Sequence, residues 1–310
     1  MNQTQLHHPP TEPRPRFGLI IIGDEILSGK RADKHLPKVI ELLKARGLSL
    51  GYAEYVGDDP ERITVAIERA FTSGDVVFST GGIGATPDDH TRQCAAHALG
   101  VPLVLHAEAR TLIEQRMQEM ARDQGRVYDP EQADNRHRMN MGLFPQGAQI
   151  IPNPYNKIPG FFFIGKPKSE LTSGSAQRES APALDSDPHA GVERGGVYFV
   201  PGFPVMAWPM IEWVLDTHYR AFFTAQAWLE RSVIVFGAME ATLTPLMESI
   251  EREHTGIKVF SLPSVDHPQF GRHIELGVKG APGRVAGAYI ALLEGLKPFN
   301  LKLGPELVHS

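Results

Sequence analysis

One cysteine, Cys94, stands in a chain of 310 residues, which excludes an intrachain disulfide and any zinc site built on paired thiolates. A lone thiol fits a reducing cytoplasm, the compartment expected here. Positive charge is not in excess either: the formal net charge is −5, so nothing in the totals attracts a polyanion, and nucleic acid is not an expected partner. No apolar run reaches the roughly 20 residues of a membrane-spanning helix, so no membrane partner is expected. Residues 1–16 are polar and rich in proline and histidine, lack the apolar core of a secretory signal, and read as a loose tail. The 13 histidines form no compact ligand pattern such as His-Glu-x-x-His, and only His90 falls in a loop suited to chemistry. With 42% hydrophobic and 22% charged residues, the chain can build one large core or two smaller ones.

What is present is an alternation of strand and helix signals. Phe17 to Ile22 is a continuous apolar run ending at Gly23-Asp24, as expected of a strand buried on both faces. Leu36, Val39, Ile40 and Leu43 follow helical spacing, with Gly47 as a stop. A strand over Leu48 to Val56, a helix from Pro60 to Phe71 and a strand at Asp75 to Ser79 repeat the pattern. A helix from about Thr91, an apolar stretch from Val101 to Leu105 and a long helix from Ala107 follow. This predicts a Rossmann-like α/β fold, a mostly parallel sheet with helices on both faces, over residues 17–225. Residues 169–195 carry few large apolar side chains and read as a surface insertion between two neighbouring strands, Phe161 to Ile164 and Val197 to Val200. Residues 226–300 read as a small α+β domain, in which Ile274, Leu276 and Val278 alternate with polar neighbours along a half-exposed strand. Residues 301–310 read as a tail.

The most informative stretch is Thr80-Gly81-Gly82-Ile83-Gly84-Ala85-Thr86-Pro87-Asp88-Asp89-His90-Thr91. It leaves a buried strand and enters a helix. Gly81, Gly82 and Gly84 allow backbone amides to converge on a phosphate, aided by the helix N-terminus, and Thr80, Thr86 and Thr91 bring hydroxyl donors. Asp88 and Asp89 would repel an anion unless a divalent metal such as Mg²⁺ or Co²⁺ bridges them to it. Alternatively one caps the helix and the other accepts hydrogen bonds from a ribose or pterin ring. A second loop, Gly23-Asp24-Glu25-Ile26-Leu27-Ser28-Gly29, follows the first strand and faces the edge where α/β sheets commonly bind ligands. In a third, Gly57-Asp58-Asp59-Pro60, helix capping is the favoured role and ligand contact the secondary one.

Together these loops resemble the molybdopterin-binding MoaB/Mog superfamily, and within it the amino-terminal part of competence/damage-inducible protein A (CinA) and the related domain of eukaryotic FAD synthases. The resembling motifs are Gly23 to Leu27 with Ser28-Gly29, Val56-Gly57-Asp58-Asp59, and Thr80 through Thr91, in the family's order. Pro152-Asn153-Pro154 and Val200-Pro201-Gly202-Phe203-Pro204 resemble two later segments, and the terminal unit looks like the small middle domain of CinA-type proteins. The chain departs at Asp33-Lys34-His35, where the family usually shows Asp-Thr-Asn, and at Ala85 and Phe203, where it commonly has proline.

The resemblance implies a phosphorylated small-molecule ligand touched by Asp33, Asn153, Pro201 and Gly202 as well as by the three loops, and assembly as a homo-oligomer, dimer or trimer. It implies a metal-dependent pyrophosphatase acting on a nucleotide such as ADP-ribose, with Asp88 and Asp89 as catalytic and metal-binding residues. A molybdopterin-binding role in cofactor metabolism is the alternative, and a ligand sensor without catalysis a third. Because the chain ends soon after the α+β unit, the deamidase activity of longer CinA proteins is not expected.

Overall fold

The computed structural model describes residues 15–165, 195–224 and 229–309. The expected insertion at 169–195 lies almost wholly outside them, as does most of the expected amino-terminal tail. The chain divides into two compact units, residues 1–223 and 224–310.

In the first unit the run FGLIII becomes β1 (Phe17–Ile22), buried along its whole length. A four-residue helix α1 (Asp24–Leu27) follows, then α2 (His35–Lys44), β2 (Leu50–Val56), α3 (Pro60–Ser73), β3 (Val76–Thr80) and α4 (Thr91–Leu99). After them come β4 (Leu103–Leu105), α5 (Ala107–Asp123), α6 (Ala133–Met139), β5 (Leu143–Pro145), β6 (Gln149–Ile151), β7 (Gly160–Ile164), β8 (Gly196–Val200) and α7 (Pro204–His218). The main sheet has the order β2-β1-β3-β8-β7-β6. Its first four strands run parallel, whereas β7 and β6 pair antiparallel. The Phe161 and Val197 segments pair directly, as expected, with Phe161 opposite Phe199. The apolar stretch from Val101 supplies β4, which lies outside the main sheet and pairs with β5 in a two-stranded ribbon.

Side chains alternate across the sheet. Leu19, Ile21, Val76 and Phe78 pack with Val39, Leu42 and Leu43 of α2 and Met210, Ile211 and Val214 of α7. Ile20, Ile22 and Val77 pack on the opposite side with Ile63, Ala66, Ile67 and Ala70 of α3 and with Cys94 and Ala95 of α4. A sheet clothed on both faces explains why β1 carries no alternation of polarity. The strand order reverses direction between β1 and β3, and their carboxyl ends open a crevice there, as doubly wound sheets do.

The second unit contains β9 (Leu229–Phe236), α8 (Glu240–Glu253), β10 (Lys258–His267), β11 (Gly271–Gly280), α9 (Pro282–Leu296) and β12 (Lys302–His309). Its antiparallel sheet has the order β10-β11-β9-β12. Ile274, Leu276 and Val278 face the core beneath the two helices, as the alternation requires. The last strand corrects the reading of 301–310 as a tail: β12 pairs with β9, with an irregularity between Leu303 and Glu306. Gly304 and Pro305 sit in that irregularity on an edge strand, a place where proline costs no ladder bond. Among the described residues no helix is long and apolar enough to cross a membrane.

Candidate functional site

A cleft of about 420 Å³ opens at the carboxyl ends of β1 and β3. Gly23, Glu25, Asp58, Gly81, Gly82, Gly84, Thr86, Asp88, Asp89, Asn153, Pro201 and Gly202 line it, all of them expected from the sequence. Arg31, Met141, Asn156, Ile158, Phe203 and Met206 also line it and were not foreseen. A second cavity of about 360 Å³ adjoins, sharing Ile22, Glu25, Arg31 and Gly202 and bounded by Lys34, His35 and Thr80. A volume of this size suits a drug-sized ligand.

The glycine loop is shaped by its carbonyls. The Gly81 N–H is not free for a ligand, because it donates to the Val200 carbonyl at 3.0 Å. Thr91 is fully buried and turns inward: its hydroxyl donates to the Gly81 carbonyl at 3.0 Å and its N–H to the Gly82 carbonyl at 3.0 Å. A trans peptide points its N–H opposite its C=O, so anchoring these two carbonyls aims the N–H groups of Gly82 and Ile83 away from α4. Among the described residues the N–H groups of Gly82, Ile83, Gly84 and Ala85 meet no protein acceptor. Gly81 and Gly82 have φ of +100° and +67°, and a Cβ at Gly82 would lie 2.1 Å from the Thr91 hydroxyl. Only glycine fits both backbone and space there.

The carboxylates divide by task. Asp89 braces the turn, its Oδ2 accepting from the Thr86 N–H at 2.8 Å and the Thr86 hydroxyl at 2.5 Å. It does not cap α4, whose N-cap is His90, and His90 borders a different cavity on the far side of the loop. Asp88 is exposed and lines the cleft, and the Thr86 hydroxyl, which donates to Asp89, is not available to it. Asp24 and Asp58 clasp each other: the Asp24 N–H donates to Asp58 Oδ2 at 2.9 Å and the Asp58 N–H to Asp24 Oδ1 at 3.1 Å. Burial, with the nearby charges of Asp24, Glu25 and Asp88, raises the Asp58 carboxyl above the ordinary range.

Several expected ligand residues instead build the frame. Asp59 caps α3 by accepting from the Arg62 N–H at 2.9 Å. Asp33 accepts from the N–H groups of His35 and Leu36 and from the Tyr55 hydroxyl. Thr80, also buried, directs its hydroxyl to the Ile20 carbonyl at 3.4 Å. Asn153 is 4% exposed and holds the turn over the cleft, bonding Asn156, the Ile158 carbonyl and the Tyr155 N–H. Asp24, Ser28, Gly29, Asp33, Asp59 and Thr91 do not line the cleft. His35, in the segment that departs from the resembled pattern, is buried with its Nε2 3.0 Å from the Gly202 carbonyl, and so ties α2 to the loop after β8.

Among the described residues Arg31 is the only cation lining the cleft; it lies 4.0 Å from Glu25 and 5.9 Å from the Phe203 ring centre. No group of three or more His, Cys, Asp or Glu side chains converges on one point among the described residues. A closed metal site made by protein alone is thus not what Asp88 and Asp89 form. Mg²⁺ is commonly held by one or two carboxylates together with substrate phosphates, and that donor set fits this cleft.

The family described as the probable molybdopterin binding domain matches residues 18–220, the segment that contains all of these loops. The chain belongs to this family. Among its relatives, a CinA-like protein of Nostoc punctiforme is 33% identical over 59% of this chain and 40% of its own length. A CinA-like protein of Anaeromyxobacter dehalogenans is 30% identical over 66% of this chain and 41% of its own. The matched part of the chain thus spans about two fifths of these relatives. A protein of Pyrobaculum calidifontis is 27% identical over 91% of this chain and 94% of its own length, so its match takes in both units. Among solved structures, the CinA protein of Thermoplasma acidophilum is 21% identical, with a TM-score of 0.47 over 65% of this chain and 97% of that one.

Proposed function

We propose that the cleft binds a phosphorylated nucleotide or pterin and, with a divalent ion accompanying the phosphates, hydrolyses a diphosphate linkage of the ADP-ribose type. The observation that carries this reading is the run of four unpartnered amides from Gly82 to Ala85 in a cleft that also presents Glu25, Asp58 and Asp88. Amides of this kind hold phosphate oxygens, and Arg31 adds an exposed positive charge to the lining.

Four carboxylates, Glu25, Asp58, Asp88 and Asp89, beside an anion cradle oppose binding unless a cation enters with the ligand. Asp88 is the carboxylate left free to ligate such a cation, because Asp89 is committed to Thr86. Asp58, whose carboxyl is raised, is the group suited to take a proton from attacking water. When bound, Mg²⁺ or Co²⁺ would polarise a phosphoryl oxygen and acidify a water.

Purified protein is incubated with ADP-ribose and a panel of divalent ions. Release of AMP that falls at least a hundredfold in Asp88→Asn is expected, and release unaffected by that change overturns the hydrolytic reading. Binding without turnover would make the protein a sensor. The family's description favours a second ligand, molybdopterin; a pterin retained through purification, detected by fluorescence after oxidation, would select it.

A further inference from the structure

Behind the glycine loop lies a buried cation that none of the expected motifs includes. Arg92, the second residue of α4, is 5% exposed. Its guanidinium donates through Nη1 to the Asn140 carbonyl and through Nη2 to the Gly84 carbonyl, while Nε has no partner among the described residues. Arg92 borders the 320 Å³ cavity on the far side of the loop and not the cleft, whereas Ala85 borders both.

Peptide geometry gives this arrangement a consequence. Drawing the Gly84 carbonyl toward Arg92 turns the N–H of the same peptide, that of Ala85, to the opposite side, which is the cleft. Thr91 does the same for the peptides ending at Gly82 and Ile83. The two neighbouring residues of α4 thus share the work: Thr91 orients the first part of the loop with neutral groups, and Arg92 the last with a charged one. Burial would favour loss of the guanidinium's proton and Asp89 opposes that loss, yet arginine keeps its charge in proteins. A positive charge set behind the loop in a poorly solvated place acts strongly on an anion in front of it.

We propose that Arg92 is a positioning residue of the anion site, fixing the Gly84–Ala85 peptide with its N–H toward the cleft and adding a buried positive charge that favours multiply charged ligands. This rests on the reading of the cleft as a phosphate site. Arg92→Lys keeps a charge but cannot bridge two carbonyls in a fork, and Arg92→Met loses both.

The test uses the full chain labelled with ¹⁵N, with inorganic pyrophosphate and inorganic phosphate as probes in the presence of Mg²⁺. In the unaltered protein the amide resonances of Gly82, Ile83 and Ala85 shift on addition of pyrophosphate. In Arg92→Met the Ala85 shift is lost while those of Gly82 and Ile83 persist, and pyrophosphate affinity falls about tenfold, more than phosphate affinity does. Arg92→Lys keeps the preference for pyrophosphate but has a reduced Ala85 shift, and it carries the test if the methionine variant fails to fold. A full Ala85 shift in either variant overturns the proposal, as does loss of all three shifts together in both, which would mark Arg92 as a general scaffold. No shift at any of the three in the unaltered protein overturns the phosphate-site reading itself, and the proposal with it.

Discussion

Asp24 and Asp58, 34 positions apart, each accept a hydrogen bond from the other's backbone N–H, at 2.9 and 3.1 Å. The clasp joins the loop after β1 to the loop after β2 and holds the Asp24 carboxylate close to that of Asp58, which lines the cleft, with Glu25 and Asp88 nearby. Amide donation steadies the charges, yet burial and mutual repulsion outweigh it at Asp58, whose carboxyl is raised.

That balance predicts the behaviour of Asp58→Asn. A carboxyl raised in the folded state contributes stability below its unfolded value, near pH 3.8, and loses it as pH rises through the folded value. At neutral pH the ionised group therefore strains the loop, and an amide that still accepts from the Asp24 N–H relieves it. Asp58→Asn is expected to be more stable than the unaltered protein at pH 7, by less than about 1 kcal/mol because the site is partly open to water. The advantage should vanish near pH 3. Urea denaturation at the two pH values checks this; lower stability at pH 7 would show that the clasp needs the charge.

Gly82→Ala tests the loop without touching a charge. A left-handed φ costs a non-glycine residue about 1–2 kcal/mol, and the new methyl would meet the Thr91 hydroxyl at 2.1 Å. Thr91 must move, releasing the Gly81 carbonyl. Loss of more than about 2 kcal/mol in thermal unfolding is expected, together with loss of ligand binding. Gly29→Ala, also at positive φ but with open space around its Cβ position, should cost only the backbone term.

Much of this architecture is legible in the sequence, and the reasons it is not entirely so are physical. FGLIII declares a doubly buried strand because no polar residue interrupts it, and the α3 face of Ile63, Ala66, Ile67 and Ala70 follows helical spacing throughout. The glycine loop announces a special backbone, but side-chain direction within it is not periodic. Whether Thr91 points to a ligand or to the Gly81 carbonyl depends on the φ values of Gly81 and Gly82, which no residue pattern encodes. Arg31 escaped because it lies in an irregular stretch between α1 and α2, and its approach to the cleft is tertiary. Arg92 reads as an ordinary polar residue on a helix; an arginine immediately after the loop's last threonine was the available signal. β12 was hidden by Gly304 and Pro305, which argue against a strand until the edge irregularity gives them a place.

The aromatic packing around α7 yields a pH prediction. His218 lies between Phe162, Tyr198 and Trp213, and its Nε2 is buried without a hydrogen-bond partner. Burial lowers its pKa below 6.5. Below pH 6.5 the unfolded chain therefore binds a proton that the folded one resists, so stability falls as pH drops from 6.5 toward the folded value and is unaffected above 6.5. His218→Phe keeps the ring and removes the orphaned nitrogen. It is expected to gain about 1 kcal/mol at pH 7 and to lose part of the decline below pH 6.5. An unchanged slope would assign that decline to other groups.

Arg31 separates recognition from stability. Its side chain is 63% exposed and its ion pair with Glu25 spans 4.0 Å, a combination that contributes within about 0.5 kcal/mol to folding. The same exposure leaves it free to close on an anion held by the loop amides, where a charge-assisted hydrogen bond is stronger than a neutral one. Arg31→Gln should therefore melt within a degree or two of the unaltered protein while binding pyrophosphate several-fold more weakly. The loss should be largest at low ionic strength and shrink as salt screens the exposed charge. Calorimetric titration at 20 and 300 mM salt (about 20 Å and 6 Å of screening length) reads the difference. Equal affinity of the two proteins at low salt would place the anion away from Arg31 and leave the loop amides as its sole anchor.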